Sequence, residues 1–431
     1  MSERIAFTKV VADGQAMGYW HDKAVFVPGP LAGEVAEVEI TNEKTKSAQG
    51  VVERYIEVSE HRSEAVEDHF AACSPWQGVA YDQQLEQKRG MLSEAFARPG
   101  LQLPIDDVIG ADKPLGYRNK LEFKFVKTGT DQLGLAFHDR GSATKFVAAP
   151  AGCVLGSARM NEAAKRLAHL LGKMGLADLA DTLMIRESQT GTGMVAIITL
   201  KSATTNNWLQ LKLADLTGVA VIVKQRHNKI ETLWSEGSLA LGETIAGVEQ
   251  FYPWDSFFQT NVPMFERALD RILDAIPHGS RVVDLYGGAG SIGLAAARSG
   301  ALSVVGVDIV RASVEVARRN GKRNGLTNYR AIIATSERMD PAIIRSADVV
   351  IVDPPRAGLA TKVVDTLIDC SPKRIIYLSC NPITQVRDLL LFQTGGYEVA
   401  SPLGFDFYPG TLHLESLVVL IKSKPAKINL A

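Results

Sequence analysis

Cysteine is scarce in this 431-residue chain. Its four cysteines, Cys73, Cys153, Cys370 and Cys380, lie far apart and lack the spacing of a disulfide framework or a zinc motif. That excludes a disulfide-stapled secreted scaffold and points to a reducing cytoplasm. A dominant sign of charge is also missing. The 47 Lys and Arg residues nearly balance 48 Asp and Glu, for a net charge of -1 and a pI of about 6.7. A globally basic nucleic-acid coat is therefore excluded, while local basic patches are not. No apolar run is long enough to span a bilayer, and Met1 to Lys9 has no apolar core of a signal peptide. No membrane partner is expected. Aromatic residues are 7%, beside 46% hydrophobic and 22% charged residues. This is an ordinary globular composition, at a length that calls for two or three domains.

What is present falls into three stretches. Residues 1–58 carry short β-type runs at Ile5–Val11, Lys23–Val27, Glu34–Ile40 and Gly50–Tyr55. Turn signals separate them at Asp13-Gly14, His21-Asp22, Pro28-Gly29 and Ala32-Gly33. The pattern suggests a small closed, OB-like β-barrel of the kind that binds oligonucleotides; a barrel without a ligand fits it equally. Residues 59–250 mix a helix over Tyr81–Ala97, alternating strands at Leu121–Val126 and Gly134–His138, a helix over Asn161–Leu171, and strands at Met194–Leu200 and Val219–Lys224. An α+β domain is expected there. From 251 to 431 the rhythm becomes strand–helix alternation. Apolar runs begin at Val282, Val304, Ala331, Val349 and Ile375, which predicts a Rossmann-like α/β domain on a parallel sheet. Tyr397–Lys422 reads as a terminal hairpin.

The motifs sit at the ends of those last strands, the rim where open α/β sheets bind ligands. The first ends in Asp284-Leu-Tyr-Gly-Gly-Ala-Gly-Ser-Ile-Gly293, whose glycines let a backbone approach a ligand at a helix N-terminus. Asp308 closes the next strand, placed to accept from ribose hydroxyls. This pair fits nicotinamide and S-adenosylmethionine alike. Asp353-Pro-Pro-Arg-Ala-Gly358 closes the fourth strand and favours S-adenosylmethionine, since dehydrogenases do not need it. The fifth ends in Ser379-Cys380-Asn381-Pro382, which sets a thiol on the rim. A thiolate attacks carbon unaided at neutral pH. Near the C-terminus, Tyr408-Pro-Gly-Thr-Leu-His-Leu-Glu415 places His413 and Glu415 on one face of the incoming last strand. Upstream, Ser256-Phe-Phe-Gln-Thr-Asn261 sets an aromatic pair beside Gln and Asn.

These elements, in this order, resemble the RNA uracil-5-methyltransferase family, and the barrel resembles the TRAM domain of its ribosomal-RNA branch. Gly116-Tyr-Arg-Asn-Lys-Leu-Glu-Phe123 extends the resemblance to the middle of the chain. The resemblance implies S-adenosylmethionine as cofactor and a uridine in RNA as substrate, with 23S ribosomal RNA leading and transfer RNA the alternative. It implies Cys380 as nucleophile toward uracil C6 and Glu415 as the base that removes the C5 proton. It assigns cofactor contacts to Gln259, Tyr286, Gly288, Asp308 and Asp353. Asp353 and Asn381 would hold base or cofactor in the cleft. Phe257 would stack on RNA, and Arg118 and Lys120 would meet phosphates. A monomer is the default expectation.

The family often carries four cysteines for an iron–sulfur cluster. Here Glu67 and Trp76 stand where two of them would be, leaving Cys73 and Cys153. Two thiolates are too few for four-cysteine ligation, so neither a cluster nor another metal is expected. Two other readings compete with a 5-methyluridine synthase. An amino-group methyltransferase would use Asp-Pro-Pro but needs no cysteine at 380, and an aromatic residue usually stands where Arg356 does. A non-catalytic RNA-binding protein would have no use for Cys380 paired with Glu415.

Overall fold

The structure is a computed structural model that describes residues 2–423 apart from 98–100, 141, 143, 226 and 228. Met1 and residues 424–431, which the sequence reading includes in the first and last stretches, lie outside the described residues. The first five strands are β1 (Ser2–Val10), β2 (Gln15–Trp20), β3 (Lys23–Pro28), β4 (Val35–Glu43) and β5 (Ser47–Glu57). They close into a barrel in the order β1-β2-β3-β5-β4. Ile5, Phe7, Ala16, Val25, Val27, Ala36, Val38 and Ala48 point inward at alternate positions and fill it. β2 has no counterpart in the sequence reading. A Cβ at its Gly18 would stand 2.5 Å from the Ala6 carbonyl and from Ile5 Cγ2, so the residue that reads as a strand breaker is what lets β2 lie against β1.

Two helices follow, α1 (Phe70–Cys73) and α2 (Tyr81–Phe96). The middle of the chain forms β6 (Lys120–Gly129), β7 (Gln132–His138), β8 (Phe146–Ala148), α3 (Ala158–Lys173), β9 (Ala180–Glu187), β10 (Met194–Leu200), β11 (Gly218–Lys224) and β12 (Ile230–Gly237). Its sheet has seven strands in the order β12-β11-β10-β9-β6-β7-β8. α3 packs on one face through Met160, Ala163, Ala164, Leu167 and Leu171, an i, i+3, i+4 stripe. A two-stranded ribbon, β13 (Ala240–Ile245) with β14 (Val248–Pro253), leads into the last part.

That part holds α4 (Val262–Asp274), β15 (Arg281–Leu285), α5 (Ser291–Arg298), β16 (Ser303–Asp308), α6 (Arg311–Arg323), β17 (Tyr329–Ile333), α7 (Pro341–Arg345), β18 (Val349–Val352), α8 (Thr361–Cys370), β19 (Arg374–Ser379), α9 (Pro382–Thr394), β20 (Tyr397–Val399), β21 (Leu403–Phe405) and β22 (Glu415–Lys422). Its sheet runs β17-β16-β15-β18-β19-β22-β20, with β21 also paired to β22. The strands from β17 to β19 are parallel, and β22 returns antiparallel beside β19. Strand order reverses between β15 and β18, and this is the switch point where such sheets bind ligands. The expected terminal hairpin is present as β20 with β22, plus the short β21. One expectation is overturned here. His413 lies outside β22 and is exposed, whereas Glu415 opens the strand and is buried. The turn at Pro409-Gly410, with Gly410 at φ +76°, delivers the chain to β22 only at Glu415, so the two residues do not share a strand face.

Candidate active site

The rim beyond β15 is shaped by left-handed backbone. Tyr286 has φ +62°, Gly288 +53° and Gly290 +90°. For tyrosine this is an uncommon conformation that the surroundings must enforce. The glycines differ in purpose. A Cβ at Gly290 would sit 2.8 Å from Tyr329 Oη, so that glycine serves packing. A Cβ at Gly288 would meet nothing within 4 Å. Gly288 therefore leaves open space over the N-terminus of α5, as a bound cofactor requires. The Gly288 N–H donates to Asp308 Oδ2 (2.9 Å) and the Val310 N–H to Asp308 Oδ1 (2.7 Å). Two backbone donors thus fix the half-buried Asp308 carboxylate at the end of β16, beside the loop.

Asp284 lies beneath the same loop, fully buried. Its Oδ2 accepts from the Gly293 N–H (3.0 Å), and its Oδ1 has no partner. Burial, reinforced by the charge of Asp353, pushes its carboxyl up to about 7. Asp353 follows β18 and is likewise pushed up to about 7 by burial. Gln259 precedes α4; its carbonyl accepts from Asn119 Nδ2 (2.9 Å), which ties this loop to the central sheet.

Cys380 follows the last residue of β19. The β19–β22 ladder ends at the Ser379–Ser416 pair, and one further step in that antiparallel register sets Cys380 opposite Glu415. Glu415 is near enough for its charge to bear on the thiol. Burial and, next, Glu415 push the Cys380 thiol up to about 11, with Arg356 opposing. Glu415 is buried, and burial together with Asp353 raises it well above the usual carboxylate range. Arg356 and a hydrogen bond from Tyr408 oppose that rise. The Asn381 side chain accepts from the Ile383 N–H (3.2 Å) to cap α9 and donates to the Arg356 carbonyl (2.9 Å). It fixes the Asp353–Arg356 segment beside the thiol. Arg356 and Tyr408 are the residues to which the sequence reading gave no role. Both lie inside quoted motifs, but only the strand register shows what they face.

The three RNA-contact candidates separate. Phe257 is 75% exposed, whereas Phe258 is buried and stacks on Tyr252 at 4.0 Å. Arg186, buried in the central sheet, holds this loop by donating to the Ser256 (2.8 Å) and Phe258 (3.4 Å) carbonyls. Arg118 and Lys120 instead line a cavity of about 410 Å³ together with Arg140, His413, Cys73 and Cys153. Lys120 is ion-paired to Glu122 at 3.4 Å.

A glycine-loop cleft at the switch point of a parallel sheet, with an acid at the end of the second strand, defines a Rossmann-like cofactor-binding domain. Residues 80–423 match the family model described as tRNA (Uracil-5-)-methyltransferase, and residues 3–52 match the TRAM domain. The chain belongs to this S-adenosylmethionine-dependent RNA uracil-5-methyltransferase family, and its substrate is RNA. It is 31% identical to an uncharacterized RNA methyltransferase of Thermosynechococcus vestitus, over 95% of this chain and 96% of that one. It is 28% identical to another from Bacillus cereus, over 97% and 96%. A solved structure of Pyrococcus abyssi tRNA (uracil-54, C5)-methyltransferase with S-adenosyl-L-homocysteine shares the fold. Its TM-score is 0.77, with 24% identity over 98% of this chain and 100% of that chain.

Proposed function

We propose that this protein forms 5-methyluridine in ribosomal RNA, 23S RNA first among the candidates, in the cytoplasm and as a monomer, with Cys380 as nucleophile. The observation that supports the chemistry is the β19–β22 register, whose last pair, Ser379–Ser416, lies one step from Cys380 and Glu415. The TRAM barrel favours the ribosomal substrate; the transfer-RNA enzyme of the same fold makes transfer RNA the alternative.

Uracil C5 is a weak nucleophile. The Cys380 thiolate adds to C6, and the C5–C6 pair moves toward the ring carbonyl as an enolate. Arg356 is the cation that this chain offers to the thiolate. S-adenosylmethionine, when bound, supplies an electrophilic methyl group to C5, and Gln259, Tyr286, Gly288, Asp308 and Asp353 would hold it. Glu415 then takes the C5 proton. The freed pair restores C5=C6 and expels the Cys380 thiolate. A buried carboxylate of raised basicity suits this step. Phe257, which is exposed, would stack on a base once the target uridine leaves its helix.

RNA containing 5-fluorouridine tests the reading, because fluorine at C5 cannot leave as a proton. With S-adenosylmethionine present, a covalent protein–RNA adduct is expected, and Cys380→Ala abolishes it. With ordinary RNA, Glu415→Gln accumulates the corresponding adduct, with methyl and hydrogen at C5. Methylation without any adduct would instead indicate an amino-group methyltransferase, and RNA binding with neither would indicate a non-catalytic protein. Ribosomal and transfer RNA offered separately decide the substrate.

A further inference from the structure

Glu67, His69, Cys73 and Cys153 converge on one point. One ligand atom from each lies within 4.8 Å of all the others. A cluster with four cysteine ligands does not fit this set, which has two sulfurs, and the donor atoms span a single ion's coordination shell rather than a multi-iron body. Trp76, in the place of another cysteine, is fully buried and supplies no ligand.

We propose that these four residues bind one tetrahedral divalent ion of the zinc class, through the two thiolates, His69 Nε2 and a Glu67 carboxylate oxygen. Two edges of the cluster match. Zn–S bonds of about 2.3 Å and Zn–N or Zn–O bonds of about 2.0 Å require tetrahedral edges of roughly 3.8 and 3.3 Å. The two Sγ atoms are 3.9 Å apart, and His69 Nε2 is 3.3 Å from Glu67 Oε2. A second observation is independent of that spacing. The His69 side chain is 4% exposed, and its Nε2 is buried without a hydrogen-bond partner. A bound ion would satisfy it.

The surroundings orient the donors as metal sites require. Glu67 Oε1 accepts from the Val154 N–H (2.7 Å) and Oε2 from Gln77 Nε2 (3.1 Å). Asn161 clamps Cys153, accepting from its N–H and donating to its carbonyl, both at 2.9 Å. A Cβ at the preceding Gly152 would fall 2.1 Å from Asn161 Oδ1, so a glycine there admits the clamp. Two thiolates and a carboxylate around a doubly charged ion leave one net negative charge, and Arg118 and Arg140 line the cavity beside it. The ion would fasten the segment from Glu67 to Cys73, which follows the barrel, onto the loop between β8 and α3 at Cys153. That fixes one wall of the cavity that reaches His413.

Metal analysis of the purified full-length chain tests this apart from any methyl transfer. About one zinc per chain is expected after dialysis. Replacement by cobalt should give the visible bands of a tetrahedral, sulfur-ligated ion. Chelation should lower the unfolding temperature of the wild type and leave His69→Ala and Cys153→Ser unchanged, since these variants have lost the ion. Glu67→Gln should weaken binding while keeping the side-chain shape. If a cysteine variant fails to fold, the wild-type cobalt spectrum decides alone. The proposal is overturned by zinc-treated protein that retains no ion and shows no cobalt bands. Stoichiometric iron and sulfide, or a Cys73–Cys153 disulfide in protein purified without oxygen, overturns it as well.

Discussion

Asp284 is the residue where burial and charge bear most directly on pH. Its folded-state carboxyl is pushed up to about 7 from an ordinary 3.8, first by burial and then by Asp353, with the Gly293 N–H opposing. The unfolded chain releases this proton near 3.8, so between there and about 7 the folded chain binds more protons. Stability from this group is complete at low pH and is lost as pH rises through about 7. Urea unfolding of the ligand-free protein at pH 5 and pH 8 should therefore show a fall that Asp284→Asn reduces. An equal fall in the variant would remove Asp284 from the explanation. Individual residues were legible where chemistry is local. Cys380 and Asp308 end strands that hydrophobic runs alone mark out. Tyr408 and Arg356 were not, because what they face is set by β22 returning beside β19, a pairing between segments that no local pattern specifies. His413 was misplaced for a related reason: a Pro-Gly turn shifted the strand's start past it.

At the scale of elements, α2 organises the segment from Asp406 to Glu415. Lys88 on α2 donates to Asp406 Oδ1 (2.5 Å) and to the Tyr408 carbonyl (3.1 Å), with both charged side chains fully buried. Gln84, one turn earlier, accepts from the Gly410 N–H (2.7 Å). The helix thereby positions Tyr408, which in turn meets Glu415. Removing one member of a buried pair leaves the other unpaired, at a cost of about 3–5 kcal/mol. Lys88→Ala should lower unfolding free energy by that order in urea titrations and reduce methyl transfer with it. Lys88→Met combined with Asp406→Leu should recover much of the stability. A Lys88→Ala variant with unchanged stability would show that the pair holds nothing. The helix itself was legible as Tyr81–Ala97 and is observed at Tyr81–Phe96. The roles of its polar residues Gln84 and Lys88 carry no local signal, because their partners lie more than three hundred positions away.

At the scale of the whole molecule, loops of the barrel pack into the core of the catalytic sheet. Ala12 and Leu31 from the barrel stretch join Trp76, α2 and Leu412 in the apolar cluster that includes β15, β18 and β19. The contact is closest at Gly14. Its φ is +86°, and a Cβ there would stand 2.6 Å from Leu412 Cβ and from the Leu412 carbonyl. Gly14→Val meets both an unfavourable backbone conformation and this clash, and should cost more than about 1 kcal/mol. Thermal unfolding is expected to move down, and RNA methylation to fall although the residue lies in the barrel. Full activity in a folded Gly14→Val protein would show that barrel and active site work independently. The architecture was readable from strand–helix rhythm. The junction was not, since Ala12 and Leu412 are unremarkable apolar residues until the fold brings them together.

The segment from Asp406 to Glu415 also sets an order of events during synthesis. Its anchors are Gly14, Trp76, Gln84, Lys88 and Tyr117, whose hydroxyl reaches the Pro409 carbonyl at 3.1 Å. All of them leave the ribosome long before Asp406 does. Cys380 is therefore made ahead of its opposing carboxyl and waits beside an unfinished sheet edge. A nascent chain carries the proposed nucleophile before the carboxyl proposed to finish its reaction, because β22, which brings Glu415, is the last of the described strands to emerge.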